Sequence, residues 1–166
     1  MKKPIVLFLV GAAVVLAGAV VFRTTTASET SLKWRSFNDG IAEAKSSKKK
    51  VLIDVYTDWC VWCKRMDANT YSDAGVAEYL RKHYVLVKLD AESDKKLTYK
   101  NTVYTERELA AAFGVSGYPS TLFLKSDAEP ITIYPGYADA KQFKKVLSFI
   151  AEDYYLTKKF EEYAPD

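Results

Sequence analysis

Cysteine and histidine are nearly missing from this chain: its 166 residues hold two cysteines, Cys60 and Cys63, and one histidine, His83. Two cysteines are too few for the multi-disulfide framework of a small secreted domain. They are also too few for a closed zinc site, which takes four ligands where Cys and His together offer three, so no metal is expected. An excess of charge of one sign is missing as well. Lys2, Lys3 and Arg23 flank an apolar run, and without them 21 basic residues face 21 acidic ones. A near-neutral globule gives no electrostatic support for nucleic-acid or anionic-surface binding. Internal repeats and low-complexity segments are absent too.

What is present describes a folded globule. Apolar residues make up 49% and charged residues 27%, and the length suits one domain plus a tail. Residues 5–22 carry no charge and follow Met1-Lys2-Lys3. The run exceeds a secretory h-region of about 7–15 residues and falls near the lower limit of about 17 for a spanning helix. A helix apolar on every side fits a membrane better than the core of a domain this size. Residues 1–23 therefore read as a signal anchor or a signal peptide, the anchor being favoured because residues 25–27 are a weak cleavage signature. In both cases Lys2 and Lys3 stay cytoplasmic and the cysteines cross the membrane. Residues 24–31 are a polar linker, residues 32–155 a folded domain, and residues 156–166 a polar, aromatic tail with no assigned role.

Within the domain, residues 32–34 suggest a short strand. Phe37, Ile41 and Ala44 recur at helical spacing after Ser36 or Asn38 as cap, and residues 48–50 are a solvated lysine turn. Residues 51–56 form a buried strand broken only by Asp54. A helix begins near Cys60, and Ser72 and Asp73 cap another that ends near His83, to which no chemistry is assigned. Residues 84–89 are a second strand, parallel to the first because a helical crossover separates them. Residues 90–104 read as an inserted polar loop. Thr105 and Glu108 form a capping box, Gly114 stops that helix, and residues 121–124 and 131–134 are two further strands. Asp139 and Gln142 open a last amphipathic helix. The order β-α-β-α-β-α-β-β-α implies an α/β domain with a central mixed sheet and helices on both faces.

The chemistry concentrates at Cys60-Val61-Trp62-Cys63, directly after the first buried strand. A cysteine at a helix N-terminus faces unpaired backbone N–H groups and the positive end of the helix dipole, which lowers its pKa. A second cysteine three residues on lies on the same helical face, within reach of a disulfide. Cys60 is then the exposed attacking sulfur and Cys63 the resolving one. The alternatives are an inert disulfide or two buried thiols. Asp54 is an acid inside an apolar strand, where a bare charge is costly. Lys88 stands in the equivalent place of the second strand and is its natural partner, giving a proton carrier for Cys63 unless both side chains face solvent. Tyr118-Pro119 is a turn suited to a cis peptide, whose missing N–H leaves neighbouring backbone free for an extended substrate; an ordinary trans turn is the alternative.

These residues resemble the thioredoxin-fold family. Asp54 stands six residues before Cys60, Trp59 precedes it directly, and Lys88 falls where the family has a buried lysine. Residues 113–119 match the segment carrying the family's cis-proline, and Gly136 matches the glycine before the last helix. Residues 56–64 and 70–73 are more similar to the C-terminal periplasmic domain of the transmembrane disulfide reductase DsbD, and to small secreted relatives of that domain. The resemblance implies a thioredoxin fold and a thiol:disulfide oxidoreductase with no cofactor beyond the Cys60–Cys63 dithiol. It also implies substrate contacts through Trp59, Val61, Trp62, Tyr118, Pro119 and Gly136. The expected partners are thiols and disulfides of exported proteins, with apocytochromes c among the candidates, and an upstream membrane electron donor. A monomer in the periplasm is expected. A folding oxidant or isomerase, and a non-catalytic binding module, are the alternatives.

Overall fold

Two runs of branched apolar residues pair within the central sheet, and helices pack on both of its faces. The computed structural model describes residues 31–164; the signal segment and most of the linker expected from the sequence lie outside these residues. In chain order the elements are β1 (Trp34–Arg35), α1 (Phe37–Ser47), β2 (Lys50–Tyr56) and α2 (Val61–Met66), which runs on through a π turn (Asp67–Tyr71). Next come α3 (Ala74–His83), β3 (Tyr84–Asp90), β4 (Lys96–Tyr99), β5 (Thr102–Thr105) and α4 (Glu106–Ala112). The chain closes with β6 (Ser120–Leu124), β7 (Pro130–Pro135), α5 (Ala140–Ala151), a 3₁₀ turn (Tyr154–Leu156) and α6 (Phe160–Tyr163).

Five strands form one sheet in the order β1-β3-β2-β6-β7. The first three are parallel, β6 is antiparallel to β2, and β7 is antiparallel to β6. Side chains alternate across a strand, and this alternation makes two cores. Val51, Ile53 and Val55 of β2 pack with Phe37 and Ala44 of α1 and Leu109 of α4. Leu52 faces the other way, toward Met66 of α2, Leu80 of α3, and Phe143 and Leu147 of α5. Asp54 therefore falls on this second face, as does Lys88 two residues after Leu86 and Thr121 two before Phe123.

The helices start where side chains accept orphan N–H groups. Ser36, rather than Asn38, accepts from Asp39; Asp73 accepts from Val76, and Asp139 from Gln142. Thr105 and Glu108 complete the expected capping box. Gly40 lets α1 lie close on β3: a Cβ there would overlap Val87 Cγ2.

Residues 90–104 are not the polar loop expected from their lysines. They hold a β4–β5 hairpin turning at Lys100 and Asn101, both at positive φ, the geometry a tight primed turn requires. Asn38 docks it on α1, donating to the Thr98 carbonyl and accepting from the Thr98 N–H, while Leu97 enters the first core. The tail is also packed: Phe160 and Tyr163 lie 5.3 and 5.4 Å from the Phe149 ring. Among the described residues, no helix is long and apolar enough to cross a membrane.

Candidate active site

At the C-terminal end of β2 the chain turns into α2, and Cys60 is the turn's last residue. Its N–H donates to the Thr57 carbonyl, and its extended backbone makes it the N-cap of α2. Its sulfur accepts the N–H of Cys63 at 3.0 Å and is joined to Cys63 in a disulfide. Cys60 is not the exposed sulfur expected from the sequence, since both cysteines are only 4% accessible. The sulfur is turned in to cap the helix, and its apolar neighbours take the outward positions instead. Trp59, Val61 and Trp62 are 63%, 70% and 50% exposed, a hydrophobic collar around the disulfide of the kind that marks an interaction site.

Aromatic contacts tie this collar to two other segments. Trp59 meets Tyr118 edge-on, with centroids 6.0 Å apart, and the Tyr118–Pro119 peptide bond is cis. Trp62 meets Tyr137 at 5.4 Å, and the Arg65 guanidinium lies over its ring, a favourable cation–π contact. The two segments are themselves joined, because the Gly136 N–H donates to the Pro119 carbonyl. One lone pair of that carbonyl is therefore already engaged. Gly136 has a φ of 84°, which an L side chain adopts only with strain.

Beneath the second face lies the acid–lysine pair. Asp54 is opposite Lys88 in the parallel register, and Lys88 Nζ is 2.7 Å from Asp54 Oδ2. Asp54 does not point to solvent, being 2% exposed, while the Lys88 side chain is partly exposed at 23%. Burial pushes its pKa up, and the Lys88 charge opposes that without cancelling it. Burial works to lower the Lys88 pKa, but Asp54 and Asp67 outweigh it and raise it. Asp67, in the π turn, holds the same ammonium at 2.7 Å, and the rings of Trp34, Tyr56 and Tyr71 surround it at 5.0–5.8 Å. The Thr70 hydroxyl donates to the Ala138 carbonyl and pins the π turn to the segment entering α5.

A family model described as thioredoxin-like domain matches residues 37–151. The chain belongs to the thioredoxin-like family. Among curated relatives, the thiol:disulfide interchange protein DsbD of Actinobacillus pleuropneumoniae is 32% identical over 100 residues, 59% of this chain. The match takes in 16% of that protein, so the chain spans about a sixth of its length. A thioredoxin from Thermus thermophilus, 25% identical, aligns over 72% of this chain and 87% of its own with a TM-score of 0.59. The oxidised DsbD C-terminal domain of Neisseria meningitidis shares the fold at 21% identity, over 76% of this chain and 100% of its own, with a TM-score of 0.50.

In this thioredoxin-like protein the structure gathers Cys60, Cys63, Trp59, Val61, Trp62, Tyr118, Pro119 and Gly136 at one end of the sheet, with Asp54 and Lys88 on the face below. His83 ends α3 beside the start of β3, at the opposite end. Sequence reading missed Asp67, whose position one turn beyond Cys63 on the same helical path was its only signal. It also missed Glu92, which accepts from Trp59 Nε1 at 2.9 Å and is steadied by Arg107 donating to its carbonyl. Glu92 lies in the turn between β3 and β4, and nothing local marks it.

Proposed function

We propose that the chain is a thiol:disulfide oxidoreductase acting outside the cytoplasm, a reductase or electron relay for disulfides of exported proteins. The observation that carries this reading is the Cys60–Cys63 disulfide closing the start of α2, with the Cys63 N–H donating to the Cys60 sulfur. In the reduced protein the Cys60 thiolate attacks a substrate disulfide; one substrate sulfur leaves as thiolate and the other is bound to Cys60. Asp54 takes the Cys63 proton, and the Cys63 thiolate attacks Cys60, restoring the protein disulfide and releasing the second substrate thiolate. Two electrons pass to the substrate, whose thiolates take up protons, and Asp54 gives up the proton it took from Cys63. Lys88 holds Asp54 in place, while Trp59, Val61, Trp62, Tyr118, Pro119 and Gly136 receive the substrate segment. No cofactor takes part beyond the dithiol.

The charge-free run after Lys2 and Lys3 supports an extracytoplasmic location, with the N-terminal segment as anchor or export signal. The likeness to part of DsbD supports an upstream membrane dithiol as electron donor. Apocytochromes c that need reduced cysteines are one class of client, and the working form is a monomer. The test is insulin reduction with dithiothreitol, together with a redox titration. A reductase catalyses precipitation and titrates nearer about −270 mV; a value near about −120 mV, that of a strong oxidant, would overturn the direction assigned here.

A further inference from the structure

Among the described residues, three buried hydrogen-bonding atoms on the second face make no hydrogen bond of good geometry: Asp54 Oδ1, the Tyr71 hydroxyl and the Thr121 hydroxyl, although the three groups lie near enough to interact with one another. Such atoms are rare, because each carries its desolvation cost without return. Two come from facing positions, since Thr121 is opposite Asp54 in the β2–β6 register. Thr121, Asp54 and Lys88 thus form one row across three strands, with Lys88 holding only Oδ2 of the carboxylate. Tyr71 comes down on this row from the π turn. Its ring is fixed edge-on against Trp34 and Phe143, at 5.1 and 5.5 Å, and its centroid is 5.8 Å from Lys88 Nζ.

We propose that Tyr71 and Thr121 are positioning residues for disulfide exchange: their hydroxyls form a donor chain, Thr121 to Tyr71 to Asp54 Oδ1, that holds the ionised carboxylate. The proposal rests on the reading that Asp54 accepts the Cys63 proton. Ionised Asp54 then has Lys88 on one oxygen and Tyr71 on the other; when it takes the proton, Tyr71 gives up its bond and keeps its own proton. The titratable groups facing Asp54 are Lys88 from β3 and Asp67 and Tyr71 from the π turn. Burial, then the Asp54 charge, push the Tyr71 pKa well up, so Tyr71 remains a donor throughout. Hydrogen bonding from Tyr71 acts to lower the Asp54 pKa, as a donor to the charged form must.

The test uses the full chain in detergent, following the infrared band of protonated Asp54 through a pH titration, with Asp54→Asn to identify the band. Tyr71→Phe and Thr121→Val keep ring and methyl packing and remove only hydroxyls. Tyr71→Phe is expected to move the Asp54 midpoint up by about one pH unit, and the acidic limb of the single-turnover exchange rate to fall about tenfold. Thr121→Val should move both in the same direction, and Thr121→Ser should restore them. An unchanged midpoint in Tyr71→Phe overturns the proposal, even where Asp54→Asn slows exchange. Exchange unaffected by Asp54→Asn would instead overturn the proton-carrying role on which the proposal rests.

Discussion

Lys88 Nζ lies 2.7 Å from Asp54 Oδ2, across the parallel β2–β3 pair. The same ammonium reaches Asp67 at 2.7 Å, so removing Asp54 does not strand a buried lysine. The converse does not hold. Asp54 is the deeper group, and among the described residues Lys88 is the one cation paired with it.

Asp54→Asn is accordingly expected to stabilise the fold at neutral pH while slowing exchange. The Asp54 pKa is raised in the folded state, burial being the main cause. The folded state therefore holds that proton more tightly than the unfolded chain. Its contribution to stability is present below the unfolded value of about 3.9 and is lost as pH rises through the folded one. Urea unfolding of both chains from pH 3 to pH 8 should show the variant's advantage growing across that window. An advantage that shrinks with pH would contradict the electrostatic assignment.

Gly40→Ala separates helix propensity from packing. In an open helix the change stabilises by about 1 kcal/mol. Here the new methyl meets Val87 Cγ2, and overpacking costs about 1–3 kcal/mol. The urea midpoint should fall, and Val87→Ala in the same chain should recover part of the loss. A raised midpoint in Gly40→Ala alone would show that α1 slides away from β3 at little cost.

Glu92→Ala frees the Trp59 indole from its 2.9 Å hydrogen bond. The residue is exposed, so stability should change by less than about 1 kcal/mol. With Trp59 as a substrate contact, KM for a protein disulfide should rise about threefold with kcat held, and a small aromatic disulfide should be unaffected. Equal effects on both substrates would place Glu92 outside recognition.

The fold was legible because its signals are local and repeated. Val51, Ile53 and Val55 alternate with Leu52 to mark β2 as buried on both faces, and Asp73, Thr105–Glu108 and Asp139 each announce a helix. Cys60 and Cys63 stood out by their spacing directly after a buried strand, and the odd acid in β2 led to Lys88. The hairpin at residues 96–105 was hidden because Lys100 and Asn101 adopt positive φ without the Asn-Gly pair that usually signals it. Tyr71 and Thr121 read as ordinary core and strand residues; only the register across β2 and β6, together with the π turn, sets their hydroxyls around Asp54. The burial of Cys60 was also invisible, since it depends on which way a capping sulfur turns.

The central claim is that Cys60 attacks and Cys63 resolves. The most direct measurement incubates reduced Cys63→Ser and Cys60→Ser chains with a disulfide-bonded protein and weighs the products by mass spectrometry without reductant. The account predicts that Cys63→Ser accumulates a mixed disulfide through Cys60 while Cys60→Ser accumulates little. Equal accumulation in both, or none in either, would contradict it.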